Sequence, residues 1–213
     1  MRKFINKITI TLFVLALFVF GWFWTEGYGT FTNNWYGKTI EDAVKYGYNI
    51  RGRITGMGGI TGKYNKIIYT VDIEKKKKLV FYESENELLY KDKKLLSVAL
   101  VKKKWNNKWI VVRQVGTLPF ERPEEYDEAV GWFYLDMVYI NLYVGINYDE
   151  NIDRVTVSGE DSVFYYYEDA NKNIWYHITE DSLFLPDTTD SSYDIKGYDK
   201  SGEILYECKT KDR

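Results

Sequence analysis

The sequence predicts a mainly β protein of the α+β class, carried behind one N-terminal transmembrane helix. The chain opens on a long apolar run without charge. Tyr is its commonest aromatic residue, with twenty of 213 positions, and Tyr, Val and Ile favour pleated sheet. From residue 64 onward, apolar and polar residues alternate with a period of two, and turn residues recur every eight to twelve positions. We therefore expect a small α+β meander module followed by a β-sandwich-like module.

The apolar run covers residues 8–24 and follows Arg2, Lys3 and Lys7. As a helix it would be about 26 Å long, close to the ~30 Å hydrocarbon core of a bilayer. The cations predict a cytoplasmic N-terminus, and Trp22 and Trp24 suit the outer interface. The sequence thus predicts a single-pass protein of the cell membrane with its bulk outside the cytoplasm. A cleaved signal peptide and a buried soluble helix are the alternatives. Signal-peptide cleavage requires small residues, which Gly27 and Gly29 could supply, but bulky aromatic residues precede them.

Charge is divided unevenly along the rest of the chain. Residues 25–116 carry eighteen Lys and Arg against nine Asp and Glu, whereas residues 117–213 carry eight against twenty-two. Asymmetry of this size favours two modules with different surfaces. We expect the cytoplasmic tip and anchor at 1–24, a linker at 25–38, a basic α+β module at 39–116 and an acidic β-sandwich-like module at 117–213.

The basic module is predicted to be one short helix on a meander of about five strands. Thr39 is a candidate N-cap, because Glu41 and Asp42 follow it in the first turn. The glycine-rich segment 51–62 lacks the spacing of a phosphate-binding loop or a dinucleotide fingerprint. Strands are expected at 67–73, 79–83, 87–91, 95–101 and 109–115, with Asn106 and Asn107 in the last turn.

The acidic module is predicted to begin with a short helix, because Pro119 and Pro123 precede a run of acids. Short strands with intervening turns follow, and the last hairpin closes around the turn at 199–202. Cys208 is the one cysteine, so no internal disulfide is possible, and its place in an alternating strand favours a small buried apolar residue.

Several segments resemble small membrane-anchored or exported proteins of low-GC Gram-positive bacteria. The segments are 39–45 (TIEDAVK), 80–83 (VFYE), 98–103 (VALVKK), 144–147 (VGIN), 152–155 (IDRV) and 195–206 (IKGYDKSGEILY). These motifs are structural, mainly hairpins. The resemblance implies a location in the cell envelope and no particular chemistry.

The sequence carries no catalytic signature and predicts neither an enzyme nor a cofactor. His177 is the one histidine, which removes most serine, cysteine and zinc mechanisms, and its strand position favours a packed or rim residue. Paired carboxylates could still serve a glycosidase. Glu124 and Glu128 would share a face of the expected helix, although a solvated acidic face explains that spacing equally well.

Two sets of residues are candidate binding sites. Asp169, Asn171, Asn173 and Glu180 occupy positions 1, 3, 5 and 12 of an EF-type calcium loop. Position 6 is Ile174 instead of glycine, which favours a plain hairpin turn. The second set consists of two lysine runs at predicted strand ends: Lys75, Lys76, Lys77, Lys78, Lys102, Lys103 and Lys104. Such runs ordinarily form solvated strand edges. If the two runs gather on one side, they could instead bind anionic lipid or wall polymer.

From the sequence we expect a membrane-anchored extracytoplasmic binding or interaction protein of the cell envelope. Its partner would be another envelope protein, anionic lipid or wall polymer, and not nucleic acid. The alternative is a carboxylate-dependent hydrolase acting on cell-wall glycan.

Overall fold

A computed structural model describes residues 15, 17, 37–45, 62–86, 90–104, 107–124, 127–137, 140–179 and 194–209. The predicted linker up to residue 36, the glycine-rich segment before Gly62 and Glu180 lie outside these residues. Of the predicted anchor, only Leu15 and Leu17 are described. Both are helical, and both side chains are more than half exposed.

The described chain is mainly β, as predicted, and its strands form three antiparallel four-stranded sheets. The first sheet has the order β1 (Gly62–Glu74), β2 (Lys77–Asn86), β3 (Tyr90–Lys103), β4 (Trp109–Pro119). The middle sheet has the order β5 (Val130–Met137), β6 (Ile140–Asn147), β10 (Lys172–Thr179), β9 (Val163–Tyr167). The third sheet has the order β12 (Ile204–Lys209), β11 (Asp194–Tyr198), β7 (Arg154–Val157), β8 (Glu160–Asp161).

The sheets are stacked in layers, and the period of two explains how. On β2, Leu79 and Phe81 face the middle sheet and pack with residues such as Val144 and Ile174. The alternate positions Val80 and Tyr82 face the other way, in a cluster that includes Val44. The opposite face of the middle sheet packs on the third sheet through a second buried cluster, which contains Val130, Trp132, Tyr143, Ile152, Val155, Val157, Trp175 and Ile195. The middle sheet is therefore covered by another sheet on each face.

The short helix covers residues 40–45 and begins as predicted at Thr39. Thr39 Oγ1 accepts a hydrogen bond from the Asp42 amide at 3.0 Å, and the Thr39 amide donates to Asp42 Oδ2 at 3.2 Å. These reciprocal bonds form a capping box with Asp in place of the usual Glu. They fix the start of the helix, whose Val44 packs on the outer face of the first sheet.

We predict that Thr39→Ala lowers the free energy of unfolding by about 1 kcal/mol, because an N-cap oxygen is lost. Urea denaturation of the full chain in detergent measures this change. Thr39→Ser keeps the oxygen and should stay within a few tenths of a kcal/mol of the wild type. Equal losses in both variants would contradict the capping role.

Three sequence expectations are corrected by the structure. The meander has four strands in the described residues instead of about five, since residues 90 and 91 of the strand expected at 87–91 belong to the same strand, β3, as the strand expected at 95–101. The boundary expected at residue 116 falls inside β4, which ends at Pro119. The helix expected after Thr117 is wrong for the described residues, because 117–119 belong to β4 and 120–124 and 127–129 are not helical.

The physical reason for the missing helix is the crossing between sheets. Phe120 is buried in the core between the first and middle sheets, and its ring centroid lies 5.2 Å from that of Tyr167. The Tyr148 hydroxyl donates to the carbonyl oxygen of Pro119 at 2.8 Å. These contacts fix the chain where it leaves β4, and they outweigh the local signal of proline followed by acids.

Candidate functional site: the basic end of the first sheet

The structure brings the two predicted lysine runs together at one end of the first sheet. Strands β2 and β3 are antiparallel and place Lys77 opposite Lys102. The Lys103 amide donates to the Lys76 carbonyl oxygen at 2.7 Å. We call this region the basic end, defined by Lys75, Lys76, Lys77, Lys78, Lys102, Lys103 and Lys104.

The basic end keeps an excess of positive charge. Lys77 Nζ lies 2.7 Å from Glu74 Oε1, and Lys78 Nζ lies 2.8 Å from Asp72 Oδ1. Lys75 and Lys76 are exposed in the turn between β1 and β2, and within the described chain no carboxylate forms an ion pair with either. Lys77 and Lys78 are half-buried, so the exposed positive charge of the first run comes mainly from Lys75 and Lys76.

The N-terminal chain enters the fold beside this basic end. The Gly37 amide donates to Trp109 O at 3.0 Å, and the Trp109 amide donates to Gly37 O at 2.9 Å. Trp109 pairs with Lys103 across β3 and β4, and Lys103 Nζ lies 5.9 Å from the indole centroid. A side chain at residue 37 would overlap the start of the helix near Ala43 N, which explains the glycine.

The turn that joins β3 and β4 lies at the same end. Asn107 has a φ of 59°, as expected for an asparagine in a tight turn. The Lys104 amide donates to Lys108 O at 2.8 Å and closes the hairpin. Lys108 thus adds an eighth lysine beside the basic end, one that the sequence analysis did not include. A further group of lysines, Lys91, Lys93 and Lys94, lies at the opposite end of β3.

The predicted calcium residues do not come together as one loop in the described chain. A 3-10 turn covers Glu168–Ala170, Asn171 is left-handed with a φ of 50°, and β10 starts at Lys172. Asp169 Oδ2 instead forms an ion pair with Lys66 Nζ on β1. No group of three or more His, Cys, Asp or Glu side chains in the described residues is placed to hold a metal ion. The segment is a hairpin turn, which the sequence analysis favoured over an EF-type loop.

Asn171 and Asn173 instead line a surface pocket of about 170 Å³ at the end of the middle sheet. Its lining is polar apart from the ring of one tyrosine, and consists of Asn147, Asp149, Glu150, Tyr166, Asn171, Lys172 and Asn173. Register explains the assembly, since Asn173 on β10 pairs with Asn147 on β6 and with Tyr166 on β9. Sequence reasoning missed Asn147, Asp149 and Glu150, because only strand pairing brings them to the asparagines.

A buried carboxylate was also missed by sequence reasoning. Glu83 is 3% exposed. It follows Leu79 and Phe81 at the next alternate position of β2, on the face that packs in the core. The Tyr167 hydroxyl donates to Glu83 Oε2 at 2.7 Å, and Asn65 Nδ2 donates to Oε1 at 3.1 Å. Its signal in the sequence was a carboxylate at a core-facing position of an alternating strand.

The surroundings of Glu83 keep it ionised. Burial alone raises its pKa, but the hydrogen bonds from Tyr167 and Asn65 and the charge of Lys94, whose Nζ lies 3.4 Å from Oε1, outweigh burial. The net pKa of Glu83 therefore lies below its ordinary value. Burial, together with the carboxylate of Glu83, raises the pKa of Tyr167. The pair is thus a neutral phenol donating to a carboxylate, which joins the first and middle sheets.

The remaining candidates have mainly structural surroundings. Glu124 and Glu128 lie in non-helical chain, so the helix face that would have paired them is not formed. His177 is buried on β10, as a packed residue should be, with Nε2 3.5 Å from Glu160 Oε2. Cys208 is half-buried against the cluster between the middle and third sheets.

Comparison with protein families, with curated proteins and with solved structures finds no match to this chain. Within the described part, no helix combines the length and the apolar character needed to span a membrane.

Proposed function

We propose that this protein is a membrane-anchored extracytoplasmic binding protein of the cell envelope, whose basic end contacts the anionic surface next to its anchor. Its N-terminus lies in the cytoplasm, and the stacked sheets lie outside. The observation that carries the proposal is the pair of hydrogen bonds between Gly37 and Trp109. They hold the chain that leaves the predicted anchor at the end of the sheet where the lysine runs meet.

Chain length supports contact between the basic end and lipid headgroups. Twelve residues separate Trp24 from Gly37. Even fully extended, that linker keeps Gly37 within roughly 45 Å of the end of the apolar run, and any less extended form brings it closer. Electrostatic attraction acts over about 8 Å at physiological ionic strength. Attachment at this end of the sheet lets the lysines come within that range, whereas attachment at the opposite end would hold them away by the length of the strands.

The apolar run at residues 8–24, preceded by three cations, supports the same location. The hydrolase alternative rested on Glu124 and Glu128 sharing a helical face, and no such face is formed in the described residues. Binding therefore has the better structural support, because strand pairing within the first sheet is enough to bring the two lysine runs together.

The proposal predicts that the basic end approaches a bilayer only when the bilayer is anionic. We would place the full chain in nanodiscs of neutral lipid or of lipid with 30% phosphatidylglycerol. Lys75→Cys, in a Cys208→Ser background, would carry an environment-sensitive fluorophore. Emission should shift to the blue in the anionic discs and return towards the neutral-disc value in 0.5 M salt, because screening weakens the attraction.

Neutralising two lysines in the labelled protein should reduce the contact. Lys76→Gln with Lys104→Gln removes two cations worth ~1 kcal/mol each near a charged surface, so the ratio of contacting to detached protein should fall about 30-fold. Lys200→Gln with Lys209→Gln removes two cations from the third sheet and should leave the shift unchanged. An emission that ignores lipid charge, or responds equally to both pairs, would rule out the proposal.

A further inference from the structure

The polar pocket at the end of the middle sheet contains a buried acceptor without a partner. Asn147 is 3% exposed, and its Oδ1 receives no hydrogen bond from the described chain. Its Nδ2 donates to Ile152 O at 3.2 Å. Because Ile152 O can only accept, the amide orientation is fixed and Oδ1 is the atom without a partner. Leaving such an acceptor unsatisfied costs about 1–3 kcal/mol, so the position calls for a donor or a cation.

The groups that share this pocket favour a cation. Asp149, Glu150 and Asn173, two acidic residues and a second amide, line it together with Asn147. Asp149 Oδ1 accepts from the Asn151 amide at 2.9 Å and orders the turn. Carboxylate and amide oxygens are hard ligands, which calcium prefers and which it binds in flexible sets of six to eight completed by water. A pocket of about 170 Å³ has room for an ion together with several waters.

We propose that this pocket binds calcium through Asn147, Asp149, Glu150 and Asn173. The set is discontinuous, since its two halves come from the end of β6 and the start of β10. It differs from an EF-type loop and needs neither Asp169, which pairs with Lys66, nor a glycine at position 174. The inference goes beyond the proposed function and does not depend on the membrane anchor.

Lys172 provides a test of the sign of the ligand's charge. Lys172 lines the same pocket, and a positive charge on this residue opposes a cation and favours an anion or a sugar hydroxyl that accepts hydrogen bonds. Lys172→Gln should therefore strengthen calcium binding, by roughly five-fold for one like charge acting through water. Weaker binding in this variant would overturn the proposal.

Calorimetry on the full chain in neutral-lipid nanodiscs measures the affinity for calcium. We expect a dissociation constant of about 0.1–1 mM, the range of extracellular calcium modules. Asp149→Asn with Glu150→Gln should weaken it at least ten-fold while keeping the Asp149 turn acceptor. Glu168→Gln neutralises an exposed neighbour outside the pocket and should leave the affinity unchanged. Equal weakening in both variants, or no binding heat at 10 mM calcium, would overturn the proposal.

Terbium luminescence gives an independent, local measurement. Terbium replaces calcium in oxygen sites and emits when a nearby tyrosine transfers its excitation. Tyr166 lines the pocket and is 53% exposed. Tyr166→Phe should reduce the sensitised emission, and added calcium should quench the wild-type emission. Emission that is independent of both Tyr166 and calcium would place the ion elsewhere and overturn the proposal.

Discussion

Replacing Gly145 with alanine is expected to lower the melting temperature of the protein by roughly 5–10 °C. Gly145 lies on β6 between Trp132 on β5 and Trp175 on β10, directly opposite both. Trp175 is fully buried, and its indole ring occupies the space that a Cβ at residue 145 would need. Overpacking a core of this kind costs about 1–3 kcal/mol, and each kcal/mol corresponds to about 2–4 °C for a chain of this size.

A matched glycine separates this overlap from a general effect of alanine in strands. Gly197 is also buried in a sheet, but a Cβ there would meet Ile152 Cδ1 at 3.1 Å and Ile152 Cγ2 and Tyr206 Cβ at 3.3 Å, whereas a Cβ at Gly145 would lie 2.3 Å from the Trp175 ring. Gly197→Ala should therefore cost much less. Calorimetric melting of both variants measures the difference. Combining Gly145→Ala with Trp175→Phe should cost less than the two single losses together, because the smaller ring relieves the overlap. Equal costs at the two glycines would refute the explanation.

Local patterns predicted the β class and several turns, because those features depend on near neighbours. The Thr39 cap, the left-handed Asn107 and the last hairpin all follow from residues within five positions of one another. In that hairpin, Asp199 Oδ1 accepts from the Ser201 and Glu203 amides at 2.9 and 2.8 Å. Such turns can be predicted from the sequence because they depend on hydrogen bonds between a side chain and the backbone of nearby residues.

The layers of the fold could not be predicted in the same way. The core between the first and middle sheets joins residues that are far apart in sequence, such as Phe81 and Tyr176, whose ring centroids lie 5.4 Å apart. Alternation shows that a strand has a buried face without showing what covers it. The charge asymmetry suggested two modules, yet surface charge carries no information on which apolar faces meet.

The candidate sites depend on pairing in the same way. The sequence placed Lys75–Lys78 and Lys102–Lys104 at strand ends and left open whether they gather. The pairing of Lys77 with Lys102 is what brings them together. Likewise Asn171 and Asn173 were identified in a linear calcium motif, whereas register places Asn173 beside Asn147. A linear motif contains only residues that are close in sequence. It could not include Asp149 and Glu150, which follow β6 and reach the pocket only because β6 pairs with β10.

Replacing Tyr167 with phenylalanine is expected to lower the free energy of unfolding at pH 7 by about 1.5–3 kcal/mol. The change removes the hydroxyl that donates to Glu83 Oε2 and leaves a buried, ionised oxygen without that donor. The ring keeps its contacts with Phe120 and with Lys66 Nζ, which lies 5.4 Å from its centroid. Urea denaturation at pH 7 measures the loss. Tyr166→Phe, which removes an exposed hydroxyl from the same strand, should cost less than 0.5 kcal/mol.

The pH dependence of this loss has a definite sign. The pKa of Glu83 is lowered in the folded protein, so ionised Glu83 adds stability above its ordinary value of 4.5, and that contribution disappears as the pH falls through the folded pKa. In the Tyr167→Phe variant burial opposes ionisation with one hydrogen bond fewer, so the folded pKa of Glu83 rises and the variant loses less stability in acid than the wild type.

The two proteins should therefore converge in stability as the pH falls below 4.5 and through the folded pKa of Glu83, because the missing donor matters less once the carboxylate is protonated. Tyr167 gives the matching effect in alkali. Its raised pKa means that the neutral phenol adds stability below its ordinary value of 10, which is lost as the pH rises through the folded pKa. Unfolding free energies of both proteins at pH 3, 4, 5, 7 and 9 test the acid effect. A difference that stays constant from pH 7 to pH 3 would show that the hydroxyl stabilises the fold without acting on the Glu83 carboxylate.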